Sequence, residues 1–129
     1  MNFRLKTSKA TADRLKQLQD TTRLTPNILA RFAVCLALKE SGPILANVRD
    51  TGGVEFNRNT LTGSYDYVFK VLIAQHQQRS ISDEEFFPGL FNAYLERGVQ
   101  LLLNEYTYAG NYEKFIANLL AKVPGVSAS

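Results

Sequence analysis

The sequence predicts a mainly α protein, a single helical domain that opens with one short strand. Three observations carry this. Apolar residues recur at helical spacing through most of the chain, and clear period-2 alternation is confined to the first few residues. The 129 residues, 45% hydrophobic and 21% charged, suit one ordinary core without low-complexity or disulfide-rich bias. The expected domain covers residues 1–123, with 1–40 as a strand–helix–helix opening and 64–123 as the helical remainder. Residues 124–129 read as a flexible tail.

Asn2 to Thr7 alternates polar and apolar, placing Phe3 and Leu5 on one face and Asn2, Arg4 and Lys6 on the other. So short a strand needs a partner. The nearest candidate in the chain is Val54-Glu55-Phe56, but the simplest expectation is the same strand of another subunit. Ser8 caps a first helix of about Lys9 to Thr21, with Ala12, Leu15 and Leu18 inward. Thr25-Pro26 opens a second helix, running to about Lys39, because proline lacks only an N–H that the first turn leaves free. That helix is apolar nearly all round, which calls for cover on two sides, a subunit interface being the natural second one.

Ser41-Gly42-Pro43 ends it. Asp50 to Gly53 reads as a turn and Asn57 to Gly63 as a surface loop, either a solvated connector or a ligand contact through Arg58. Tyr65, Val68, Phe69, Leu72, Ile73 and His76 form the stripe of a third helix. Ser82 and Glu85 make a capping box, and Pro88 calls for a helix restart after one acidic turn. The next stripe, Phe87 to Leu102 on a helix running to about Tyr106, carries Gly98, whose cost in a helix implies close approach of a neighbour. Asn111 caps a last helix.

Little in the chain resembles a catalytic apparatus. Gly52-Gly53 lacks the spacing and lysine of a phosphate loop, and Cys35 sits in an apolar run as a buried, inert thiol. His76, the sole histidine, is expected to satisfy a local carbonyl. Asp83, Glu84 and Glu85 suit a helix start better than a metal, since successive helical residues point about 100° apart. The expectation is a protein that is not an enzyme and needs no cofactor or metal. The longest apolar run, Phe32 to Leu38, is far short of the ~20 residues of a membrane span, and a cytoplasmic location is expected.

Binding is left, and the charge points to its place. The net charge is +3, but residues 1–40 hold 8 basic and 3 acidic side chains, while residues 41–129 hold 7 and 9. A basic edge of this kind suits a polyanion. Strand, helix, turn and helix with Asn2, Arg4 and Lys6 outward resembles the ribbon-helix-helix arrangement, in which paired strands lie on DNA. The N-terminus of the second helix, at Thr25, Pro26 and Asn27, then offers free N–H groups to a phosphate.

Over nearly its whole length, from FRLKTSKATADRLKQLQDTTRLTPNILARFAVCLALKES through GVEFNRNTLTG to the helical remainder, the sequence resembles the DNA sulfur modification protein DndE family. The resemblance implies a non-catalytic DNA-binding accessory subunit of the bacterial phosphorothioation system. It further implies binding of duplex or nicked DNA, a homotetramer, and work beside other phosphorothioation proteins. The alternative is a ribbon-helix-helix transcriptional regulator. The family offers no catalytic motif to transfer. The candidate DNA-binding residues come from the faces alone: Arg4, Lys6, Lys9, Arg14, Lys16, Arg23 and Arg31, with Lys16 and Arg23 favoured for phosphate.

Overall fold

The computed structural model describes residues 3–121, so the tail expected over 124–129 lies outside the described residues. The strand–helix–helix opening is present as β1 (Arg4–Lys6), α1 (Lys9–Thr22) and α2 (Pro26–Ala37). The strand's partner differs from expectation. β1 pairs antiparallel with β2 (Glu55–Asn57) of the same chain, Leu5 opposite Phe56, and both of these side chains turn into the core. The ladder extends through Arg58 N–H to Phe3 O and Thr7 N–H to Val54 O. A strand so short is closed more cheaply by a segment tethered to the same chain than by a second molecule, whose association has its own entropic cost.

Ser8 caps α1 as expected, its Oγ accepting from Thr11 N–H at 3.1 Å. A second group joins it from far along the chain. The Glu96 carboxylate accepts from Ser8 N–H and Ser8 Oγ, each at 2.8 Å, and from the Thr11 hydroxyl. An acid at a helix N-terminus answers both its unpaired donors and its dipole, and here it also ties the first helix to the longest.

That longest helix is α5 (Phe91–Ala109), and α2 packs along it. The inward face of α2 is made of Leu29, Ala30, Ala33, Val34 and Ala37, small enough to let the backbones meet. At Gly98 they do. A Cβ there would lie 1.8 Å from Ala33 O, which is why α5 carries glycine in mid-helix despite its cost. α5 runs three residues beyond the end expected at Tyr106, and Gly110 terminates it at φ +79°. α6 (Tyr112–Ala121) follows, Asn111 Oδ1 accepting from Lys114 N–H at 2.9 Å, and Phe115 packs edge-on against Tyr106.

The acidic turn behaves as the sequence predicts. Ser82 Oγ and Glu85 N–H, and Glu85 Oε1 and Ser82 N–H, close the reciprocal capping box at 3.1 Å each. The chain then turns extended at Phe87 (φ −133°, ψ 126°), passes the cis Phe87–Pro88 bond, and restarts toward α5. No helix among the described residues is long and apolar enough to cross a membrane.

Two expectations fail between β2 and α5. Asn57 to Gly63 is not a surface loop: Arg58–Thr62 forms a one-turn helix, α3, with Arg58, Leu61 and Thr62 buried. Then α4 (Asp66–Gln77) buries only Phe69 and Ile73 of its expected stripe, leaving Tyr65, Val68 and Leu72 exposed. The outer side of α2 is open as well, at Ile28 and Phe32. Cys35, expected to be buried, is exposed on that side, although desolvation still pushes its thiol pKa up and keeps it protonated.

Candidate nucleic-acid interface

The predicted basic residues divide by what their side chains already do. Arg4 and Lys6 project from the outer face of the ribbon. Arg4 is tied at 2.9 Å to Glu55 on the neighbouring strand, an exposed pair whose cation remains accessible. Lys6 makes no such pair among the described residues, while its backbone carbonyl accepts from Asn92 Nδ2 at 3.1 Å and so fixes the ribbon to α5. Its ammonium is held over the surface by a braced backbone.

On α1 the inward positions are Thr11, Leu15, Leu18 and Thr22, and Arg14 lies half-buried at their flank. Lys9 and Lys16 are exposed and seven residues apart, so they drift by only about 20° and share one face, and exposed Arg23 follows at the C-cap of the helix. Asp13 and Asp20 fall on that face too, giving a ladder of alternating sign with one cation in excess. None of these five side chains forms an ion pair within the described residues, which leaves every cation of the ladder open to an external anion. Arg23 sits at the C-terminus of α1 in left-handed backbone (φ 63°), its N–H donating to Gln19 O at 2.8 Å, so its side chain leaves the helix at the corner toward α2.

The corner at α2 is half of what the sequence implied. Thr25 takes the extended cap geometry, but its hydroxyl accepts no bond from the helix, and the first turn keeps unpaired N–H groups behind Pro26. Arg31, by contrast, is occupied. Its Nε donates to Leu61 O at 2.8 Å and Nη2 to Thr60 O at 3.0 Å, while its guanidinium lies 5.8 Å from the Tyr65 ring centre. It latches α3 onto α2.

Sequence reasoning passed over Arg49. The Asp50 carboxylate accepts from Lys9 N–H at 3.0 Å and Gly52 N–H at 2.8 Å, and those backbone donors hold it below the usual carboxylate range. The loop is thereby pinned against the start of α1, and exposed Arg49 stands one residue from the pin. The Asp-x-Gly turn signal was legible, but that it would dock here was not.

Arg58 shows the opposite use of charge. Nε and Nη2 clasp the two oxygens of Asp66 at 2.8 Å each, and Nη2 and Nη1 those of Asp83 at 2.7 and 3.0 Å. Its guanidinium carbon lies 5.3 and 5.0 Å from the Phe86 and Phe87 ring centres. Only 6% of the residue is exposed. Hydrogen bonds from Arg58 hold both carboxyl groups below their ordinary range, and the paired carboxylates push the guanidinium pKa further up. This cluster joins α3, α4 and the Ser82 turn. It is not available to a ligand.

His76 is likewise structural, as expected. Nε2 faces Glu40 O at 2.7 Å, and a carbonyl only accepts, so Nε2 carries the proton and Nδ1 accepts from Tyr94 OH at 2.5 Å. Gln77 Nε2 adds a donor to the same Tyr94 oxygen at 3.0 Å and reaches Ile44 O at 2.7 Å. The segment after α2 is thus stitched to α4 and α5.

Fold and surface define a small helical protein, closed by an intrachain ribbon and basic along its N-terminal edge. The chain belongs to the DndE family: the family model described as DNA sulphur modification protein DndE matches residues 4–110. Among solved structures it is similar to DndE from Escherichia coli B7A, described as involved in DNA phosphorothioation modification, at 20% identity and TM-score 0.63. That match covers 77% of this chain and 96% of the other. A glycine-to-lysine mutant of DndE, described as involved in DNA phosphorothioation, gives 21% identity and TM-score 0.62 over 81% of this chain and 99% of that one. No curated protein matches.

Proposed function

We propose that the chain is a non-catalytic, DNA-binding accessory subunit of the bacterial DNA phosphorothioation system. The observation that carries this is membership of the DndE family across residues 4–110, the span that includes the basic edge. In this reading the edge meets the sugar–phosphate backbone of duplex or nicked DNA. Lys6, Lys9, Lys16 and Arg23 supply the primary contacts, and Arg4, Arg14 and Arg49 flank them. Arg31, with Nε and Nη2 engaged by Leu61 and Thr60, contributes chiefly long-range potential. The protein acts in the cytoplasm as a homotetramer beside the other phosphorothioation proteins.

A transcriptional regulator of the ribbon-helix-helix kind is disfavoured by one observation. That reading needs β1 paired between subunits, and β1 pairs with β2 of its own chain. Competition binding separates the two. With labelled duplex as probe, unlabelled random duplex and nicked duplex are expected to compete fully, as backbone recognition requires. Strong preference for one sequence over random duplex would support the regulator instead, and absence of any shift at low salt would remove DNA from the proposal.

A further inference from the structure

We propose that the cavity between the 46–51 loop and the start of α5 receives a single unpaired nucleobase of the bound DNA, an amino-bearing one such as cytosine or adenine. This rests on the DNA-binding reading above and gives its basic edge a base-sized site. One wall is the loop, through Ala46, Val48 and Thr51. The other is the turn at Pro88 and Gly89 with Asn92 of α5, and Lys6 of β1 completes the lining. The volume is about 170 Å³, below the ~300–1,000 Å³ of sites for drug-sized ligands, so it suits one small ring and leaves sugar and phosphate outside.

Asn92 sets what the ring must carry. The residue is 7% exposed, and its Nδ2 donates to Lys6 O at 3.1 Å. Because a carbonyl only accepts, that bond fixes the orientation of the amide and leaves Oδ1 as the group on offer. Oδ1 is buried and accepts no hydrogen bond within the described residues, an exception among buried polar groups. A donor seated against the Asn92 wall pairs it, and the loop, exposed over residues 45–47, is the wall that gives way as the donor enters. The exocyclic amines of cytosine and adenine are such donors at the edge of a flat ring. Thymine fits less well, because its one N–H on that edge is flanked by two carbonyl oxygens that crowd Oδ1.

The rest of the lining agrees. Ala46, Val48 and Pro88 are apolar, the usual company of a base taken out of its stack. The charge around them favours a nucleotide over an acid-seeking protein side chain. Lys6 lines the cavity and exposed Arg49 lies in its loop, while the Asp50 carboxylate is bonded away to Lys9 N–H and Gly52 N–H. A phosphate adjoining an inserted base therefore meets cations.

The test is fluorescence-anisotropy titration of the full chain with four labelled duplexes of one sequence: intact, or with a single extrahelical cytosine, thymine or abasic nucleotide. The abasic duplex controls for the bend of the backbone, and thymine for the size of the ring. Wild type is expected to bind the cytosine duplex about fivefold more tightly than the intact and abasic ones, as one added hydrogen bond allows, with thymine between them. Ala46→Phe and Gly89→Leu crowd the cavity from its two walls at exposed positions, and a Cβ at Gly89 meets Ala46 only at 3.9 Å, an ordinary contact. In both variants, checked for folding by thermal melting, the cytosine duplex should bind no better than the abasic one, with affinity for intact duplex unchanged. No preference for cytosine over abasic in wild type, with intact duplex still bound, would overturn the base site and leave the DNA-binding reading standing; this comparison needs no variant. Thymine bound as tightly as cytosine, or a cytosine preference kept by the folded variants, would overturn it as well. If no duplex binds at low salt, both fall.

Discussion

The outer face of α1 and the Arg58 cluster contain the same chemistry, cations beside aspartates, put to opposite ends. The charges of Lys9, Asp13, Lys16, Asp20 and Arg23 along α1 and its C-cap are exposed and form no ion pair among the described residues. Around Arg58, every guanidinium nitrogen is bonded to Asp66 or Asp83, and two phenylalanine rings cover it. A charge whose partners are already inside the fold holds the fold together. One left in solvent contributes little to stability and is available to whatever arrives.

The comparison breaks most readily at Arg58. Arg58→Met leaves two carboxylates facing each other beside apolar rings and is expected to cost about 3–5 kcal/mol in urea unfolding, the range for losing one partner of a buried pair. Acid titration sharpens the assignment. Both aspartates have folded pKa values below their unfolded ones, so their contribution is complete above the ordinary carboxylate range near pH 4. It is lost as pH falls through the lowered folded values. Wild type should lose stability along that acid limb, whereas Arg58→Met, already without the interaction, should show a flatter one. A neutral Arg58→Met would contradict the role given to this cluster.

Gly98→Ala ranks next. Helix propensity alone would favour alanine by about 1 kcal/mol, but the added Cβ would sit 1.8 Å from a main-chain oxygen that cannot rotate away. Separation of α2 from α5 is expected to win, with a net loss of about 1–3 kcal/mol read from the same unfolding curves. A stabilised variant would mean that the helices are not in such close contact.

The helical frame was readable because local chemistry governs it: Ser8, Pro26, Ser82 with Glu85, and Asn111 each mark a helix start in the expected place. Gly98 disclosed the α2–α5 contact, since only a neighbour explains a glycine in that stripe. What escaped the sequence was set by distant partners. β1 was assigned to another subunit because three residues carry no record of which edge they meet. Arg58 read as a loop residue because its partners lie 8 and 25 positions away. Cys35 and the α4 stripe read as buried because periodicity distinguishes an apolar face from a polar one, without saying which molecule covers it. At the candidate site, the exposure of Lys6, Lys9, Lys16 and Arg23 followed from the faces, whereas Arg31's engagement and Arg49's position depend on how α3 and the Asp50 loop dock.

The smallest effect on stability is expected where the effect on binding is largest. The double substitution K16A/R23A should change unfolding free energy by no more than about 0.5 kcal/mol, as for exposed side chains without partners. Its decisive readout is the dependence of duplex-DNA affinity on salt. If these two side chains each neutralise one phosphate, the log–log slope becomes shallower by about 1.8, and affinity falls alike for all sequences. An unchanged affinity with an unchanged slope would contradict the claim that the exposed cations of α1 form the DNA-binding edge.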